Sequence, residues 1–248
     1  MIRTSIMLAF WAAMLPIAAI VGFPWTFLAG NVNLLYRFGM WAALTGVRLA
    51  GVKVETVGLD KLDLNRTYIF MSNHVSNIDP PLMLPLIPRR ISVMAKKQLF
   101  DIPLLGRAMR MGSLVPVDRE NREAGIAAVR AASEVIRKGI SMVIYVEGHR
   151  SFDGKLLPFK KGPFYLAVEC QVPVVPVTVV GTHHIMPKGR FRVVPGTVTV
   201  IFHDPIEPRE FGNRDCLMAK VREVINRALP PEYRSEPAVK ATQAPSSA

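Results

Sequence analysis

Cysteine is almost missing from this chain. Its 248 residues hold two, Cys170 and Cys216, far apart and without metal-ligand spacing around either. That excludes a disulfide framework and a thiolate metal cluster, and it fits a reducing compartment. Acidic residues are scarce as well. Nineteen Asp and Glu stand against 31 Lys and Arg, a net charge of +12, which selects anionic partners: nucleic acid, phosphorylated substrates or an acidic membrane surface. The basic residues are dispersed and form no aromatic-interleaved motif of the nucleic-acid-binding kinds, so nucleic acid is the weakest of the three. No G-x-S-x-G elbow is present. The nearest approach is GISMV at Gly139–Val143, so a serine nucleophile has no support. No linker-like stretch interrupts residues 50 to 230 and no internal repeat is visible, so one large domain is expected.

Charge of either sign is missing from Thr4 to Tyr36, where Phe10, Trp11, Phe23, Trp25 and Phe27 are scattered. About 20 apolar residues suffice to cross a bilayer, and aromatics favour its interfaces. Pro16, Gly22 and Pro24 interrupt the run, so two shorter helices lying in one leaflet are an alternative to a span. A cleaved signal peptide fits less well, because Arg3 alone marks its basic region and no small-x-small cleavage site follows. Residues 1–48 are therefore read as a membrane-anchoring helical segment, 49–232 as the main domain and 233–248 as a disordered tail.

Beyond Arg48 the pattern alternates. Strands are expected at VKVETVG, TYIFMS, SVMAKK, SLVPVD, SMVIYVE, VPVVPVTVVG and TVTVIFHDPI. A central strand would resist Pro173 and Pro176. Helices are expected over Asn121–Lys138, with Gly139 at its C-terminus, at GPFYLAVEC, and over Arg214–Leu229; DPPLMLPLIP reads as a short helix or loop. The result is an α/β domain with a mixed, largely parallel sheet flanked by helices.

Three polar motifs follow strands: NHVSNID after TYIFMS, VDR after SLVP, and EGHRS after SMVIYV. If these strands are parallel, the motifs share the carboxyl edge of the sheet, where ligand sites gather. An imidazole is a good general base near neutral pH, and a carboxylate on one ring nitrogen fixes its tautomer. In a turn broken by Pro80, Asp79 can fold back onto His74; equally, the two residues can cap successive helices. Arg119 and Arg150 carry planar donor forks suited to phosphate, Glu147 can orient one of them, and Gly148 lets a ligand approach the backbone. Each of these also fits a surface ion-pair cluster. His183 and His184 are adjacent, and neighbours on a strand point to opposite faces, so the pair is read as structural. No metal-ligand spacing is visible.

NHVSNID, MGSLVPVDR, YVEGHRS and VPVVPV resemble, in order, the four blocks of the glycerolipid acyltransferases, beginning with N-H-x-x-x-x-D. They span about 110 residues. AKKQLF and FKKG resemble connecting segments of the same family. Bacterial 1-acyl-glycerol-3-phosphate acyltransferases are nearest in style and size. One departure is His149, where the third block usually has threonine, which bears on the acceptor headgroup.

The resemblance implies esterification of a lysophospholipid, 1-acyl-glycerol-3-phosphate above all, with acyl from acyl-CoA or acyl-carrier protein to give phosphatidic acid. It needs no cofactor or metal. His74 would be the base and Asp79 its orienting partner, without an acyl-enzyme. Asn73, Arg119, Glu147, Gly148 and Arg150 would bind substrate, with Lys97 and Lys160 adding positive potential beside Lys96 and Lys161. Membrane lipids would be partners and nucleic acid would not. Cytosolic donors place the catalytic domain on the cytoplasmic face of the inner membrane. Another lysolipid acceptor, such as an amino-acid lipid, and a non-catalytic lipid-binding protein remain the alternatives.

Overall fold

A computed structural model describes residues 1–118 and 121–235. It opens with a helical hairpin. Helix α1 (Ile2–Ile17), a π-helical turn (Ala18–Gly22) and α2 (Phe23–Ala29) run on as one helix of 28 residues, whose most apolar window has mean hydropathy 2.3 and is 11% buried. At about 1.5 Å per residue it is about 42 Å long, enough by length and composition to cross a membrane. Pro16, Gly22 and Pro24 do not divide it as the sequence suggested. Pro16 lies inside α1, and the π turn that follows, with Phe23 N–H on the Ala18 carbonyl, carries the helix on into α2. The break comes instead at Gly30 (φ +65°), and the chain returns as α3 (Asn33–Leu49) packed along α1. The Trp11 indole donates to the Ala42 carbonyl at 3.1 Å, and it lies so close over Gly46 that any Cβ there would collide with the ring.

The domain then alternates strands and helices. The strands are β1 (Val52–Val57), β2 (Ile69–Ser72), β3 (Ile91–Lys96), β4 (Val115–Val117), β5 (Ser141–Tyr145), β6 (Val174–Val180) and β7 (Gly196–Phe202). The helices are α4 (Asp79–Met83), α5 (Leu105–Met111), α6 (Arg122–Arg137), α7 (Gly162–Cys170), α8 (Thr182–Ile185) and α9 (Arg214–Ala228). Asn121 and Asn213 cap α6 and α9, each side chain accepting two backbone N–H groups of the first turn. One sheet has the order β1-β7-β6-β2-β5-β3-β4. The pairs β6–β2, β2–β5, β5–β3 and β3–β4 are parallel, whereas β7 is antiparallel to β6 and carries β1 parallel to itself. The amino ends of β1 and β7 thus lie at the carboxyl edge of the other five strands.

β6 is central despite Pro176. Val174 bonds to Ile206 on one side, so by alternation the missing N–H of Pro176 faces that same side. There the β7 ladder begins only at Val177↔Phe202, and the gap before it asks for no donor; the Pro176 carbonyl still accepts from His203 N–H at 3.0 Å. The sheet buries both faces. Phe70, Val143, Tyr145, Val175 and Val177 face Met7 and Val47 of the hairpin and the α4 side. Ile69, Met71, Met142 and Ile144 face α6, α7 and α9. The expected tail begins too early: Tyr233 packs in the second cluster and its carbonyl accepts from Leu156 N–H. Residues 236–248 lie outside the described part of the chain.

Candidate active site

The site stands where β2 and β5 end side by side. The parallel register Ser72↔Tyr145, carried two residues further, sets His74 opposite Glu147. The last ladder bond runs from Val146 N–H to the Ser72 carbonyl at 3.1 Å. Beyond it a side chain replaces the ladder: Glu147 Oε1 accepts the His74 N–H at 2.7 Å, while the His74 carbonyl accepts from Ser151 N–H at 3.1 Å. The histidine main chain is therefore held on both sides by the segment after β5.

Its ring is held as firmly. His74 Nδ1 lies 2.7 Å from Asp79 Oδ2, with Asp79 wholly buried and His74 only 7% exposed. A carboxylate only accepts, so Nδ1 donates and Nε2 is left as the basic nitrogen. The same Oδ2 accepts the N–H groups of Val75 at 2.9 Å and Ser76 at 2.8 Å. This turn, closed by Ser76 Oγ on the Met186 carbonyl, is what carries Asp79 back onto His74. Asp79 is the first residue of α4 with Pro80 and Pro81 behind it, but Ile78 is the N-cap and makes no side-chain cap bond, so the orienting reading holds and the capping one does not. The Tyr145 ring stacks on the imidazole at 4.2 Å and 25°. Tyr145 belongs to the hairpin-side cluster, so the base lies on the face of the sheet that the hairpin covers.

The structure separates the other predicted residues. Asn73 is 2% exposed and its amide is spent on β6: Nδ2 donates to the Val179 carbonyl at 2.9 Å and Oδ1 accepts Val179 N–H at 2.8 Å. It holds two strand ends together from a buried position. Glu147 is also no headgroup ligand. It is wholly buried, and its second oxygen accepts Leu157 N–H at 2.9 Å. Burial pushes its carboxyl up to about 7, against the pull of those two N–H donors and of Arg222; the charge of Asp79 pushes the same way as burial. Gly148 adopts φ +75° in the turn closed by its N–H on the Tyr145 carbonyl, a conformation that favours glycine.

Arg150 is half-buried, one residue from the Ser151–His74 bond, and its guanidinium makes no hydrogen bond or ion pair with the described residues. Lys160 is exposed with its stem along Gly148, and Lys97 is exposed just past the carboxyl end of β3. These cations and His149 share the carboxyl edge with His74. Arg119 lies outside the described residues. His183 and His184 sit on α8 rather than on a strand, and Tyr233 Oη lies 2.8 Å from His184 Nε2. Sequence reasoning missed Tyr145, since one aromatic in an apolar strand carries no signal until its neighbour is known. Among the described residues no group of three or more His, Cys, Asp or Glu is placed to hold a metal.

A buried carboxylate, an oriented imidazole and cations that are unpaired among the described residues share one edge of an α/β sheet, an arrangement suited to general-base chemistry on an anionic substrate. Comparison narrows the class. The family described as Acyltransferase matches residues 53–180, just over half of the chain, and the chain belongs to that family. A 1-acyl-sn-glycerol-3-phosphate acyltransferase of Limnanthes alba is 33% identical over 210 residues, 84% of this chain and 73% of that protein. A chloroplastic enzyme of the same name from Brassica napus is 36% identical over 180 residues, 71% of this chain and 51% of that protein. The crystal structure of the 1-acyl-sn-glycerophosphate acyltransferase PlsC from Thermotoga maritima superposes with a TM-score of 0.79 at 27% identity, covering 91% of this chain and 92% of that one.

Proposed function

We propose that this chain is a 1-acyl-sn-glycerol-3-phosphate acyltransferase that uses His74 as its base. The observation that carries the reading is the 2.7 Å contact between His74 Nδ1 and a buried, triply engaged Asp79 oxygen. Nε2 takes the proton from the free hydroxyl of the lysophospholipid as its oxygen attacks the thioester carbonyl. The tetrahedral intermediate then expels the thiolate, which recovers the proton from the imidazolium. Asp79 stabilises that imidazolium. The donor is acyl-CoA or acyl-carrier protein, both thioesters.

The N–H groups of His74, Val75 and Ser76 are engaged by carboxylates, so donors for the developing oxyanion lie elsewhere on this edge. Arg150, Lys160 and Lys97 are the groups proposed to hold the acceptor phosphate, and Arg119, outside the described residues, is proposed with them. Residues 1–48 hold the domain on a membrane, and the domain faces the cytoplasm at the inner membrane. The outer side of the hairpin supports this: Ile6, Ile20, Val21, Trp25, Phe27, Leu28 and Trp41 are all exposed. Purified protein given acyl-CoA or acyl-carrier-protein thioester with a panel of lysolipids tests the function. Thiol release that needs lysophosphatidate and vanishes in His74→Ala is expected. Thiol release unchanged in that variant, or none with any lysolipid, overturns the reading.

A further inference from the structure

The hairpin bends at the end of the sheet opposite to the catalysis. Arg90 immediately precedes β3, and Met111 ends the helix that leads into β4, so both lie at the amino edge of those strands, whereas His74 lies at the carboxyl edge. Between them and the elbow (Phe23 to Asn33) is a cavity of about 690 Å³. Its walls are Phe23, Thr26, Asn33 and Met111, and two guanidinium groups, Arg90 and Arg107, line it.

Neither arginine has a carboxylate partner among the described residues. Arg107 lies over the Phe23 ring at 5.5 Å. Arg90 spends Nη2 on the Met111 carbonyl at 3.2 Å and on Ser113 Oγ at 2.8 Å, while its Nε is buried with no partner. The cavity is also firmly built. Tyr36 Oη accepts Ile91 N–H at 2.9 Å, which ties α3 to the first residue of β3 beside Arg90. Outside it, Phe27 and Leu28 are 89% and 81% exposed.

We propose that this elbow cavity binds the phosphate of an anionic membrane phospholipid. The Arg107 guanidinium and the remaining Nη1 of Arg90, with no carboxylate beside them among the described residues, match a phosphodiester, and the aromatic rim continues into the apolar surface where acyl chains would lie. The site is separate from the acceptor subsite, since β3 stands between them. The inference rests on the reading of the hairpin as a membrane anchor.

The test titrates the full-length protein in neutral detergent with dihexanoyl phosphatidylglycerol, dihexanoyl phosphatidylcholine and inorganic phosphate, following binding by isothermal titration calorimetry. Saturable binding of phosphatidylglycerol is expected, with neither of the others matching it. Arg107→Gln should weaken it about tenfold or more, Arg107→Lys much less, and Arg130→Gln on the far face of α6 not at all. Equal losses in Arg107→Gln and Arg130→Gln would mean a diffuse charge effect and overturn the site. Inorganic phosphate binding as tightly as the lipid would overturn its lipid character. Flotation with phosphatidylcholine vesicles reads the anchor separately: a protein that fails to float there contradicts the anchor, whatever the cavity does.

Discussion

Glu147 Oε1 accepts the backbone N–H of His74 at 2.7 Å, one strand-end residue holding another with a side chain in place of a ladder carbonyl. The carboxyl is raised to about 7 from an ordinary 4.5, chiefly by burial. A raised carboxyl favours the protonated form in the folded state. The stability it confers is present in full below about pH 4.5 and is lost as pH rises through about 7. Glu147→Gln removes this titration and keeps an acceptor for His74. The gap in Tm between variant and wild type should therefore move in the variant's favour from pH 5.5 to pH 8. A gap that stays constant across that range would show that Glu147 does not titrate there.

Asp79→Asn should cost about 10²–10⁴-fold in kcat while leaving the fold intact, since the amide can hold the Val75 and Ser76 N–H groups but permits the wrong imidazole tautomer. Retention of more than about a tenth of wild-type kcat would remove Asp79 from the mechanism.

Tyr145 predicts a graded series. Its ring supports the imidazole by stacking at 4.2 Å, a contact of a kind that contributes about 0.5–1.5 kcal/mol. Tyr145→Leu should lower kcat roughly 2- to 10-fold and leave KM for both substrates as in wild type, because the base is less firmly held. Tyr145→Phe keeps the stack and should stay closer to wild type. If Phe and Leu behave alike, the ring only fills the core.

Asn73→Ala should act on stability and not on substrate. It leaves the Val179 N–H and carbonyl without partners in a buried strand end, at about 1–3 kcal/mol for each unmet group. Chemical denaturation should show the loss, while KM for the acceptor in the folded fraction should remain as in wild type. A KM change without a stability change would return Asn73 to the substrate.

Much of this was legible in the chain because buried strands announce themselves: IFMS and SMVIY are apolar or small throughout and every residue is buried. Strand direction was not. Nothing in Gly196–Phe202 distinguishes a strand that runs against β6 from one that runs with it, and that reversal depends on the length and path of the preceding loop. The catalytic pair could be read from spacing and resemblance, since His74 and Asp79 are joined by a local turn. Asn73 and Glu147 could not be assigned the same way. A polar residue after a strand looks alike whether it meets substrate or a neighbouring strand end, and only the register with Val179 and Leu157 decides. The elbow at Gly30 was hidden behind three earlier breakers, all of which proved compatible with one continuous helix.

Arg150 offers the sharpest test of the acceptor subsite. Its guanidinium is unpaired among the described residues and follows the turn that Gly148 makes beside His74. Arg150→Ala should raise KM for the lysophospholipid roughly 10- to 100-fold, the equivalent of one charge-assisted hydrogen bond, and change KM for the thioester far less. Lysine should rescue only in part, because it keeps the charge and loses the two-pronged geometry. His149 is its exposed neighbour. If its ring meets the phosphate, His149→Thr should change KM for the lysophospholipid and leave KM for the thioester as in wild type. Equal KM changes for both substrates in Arg150→Ala would assign the arginine to the fold or to the thioester instead.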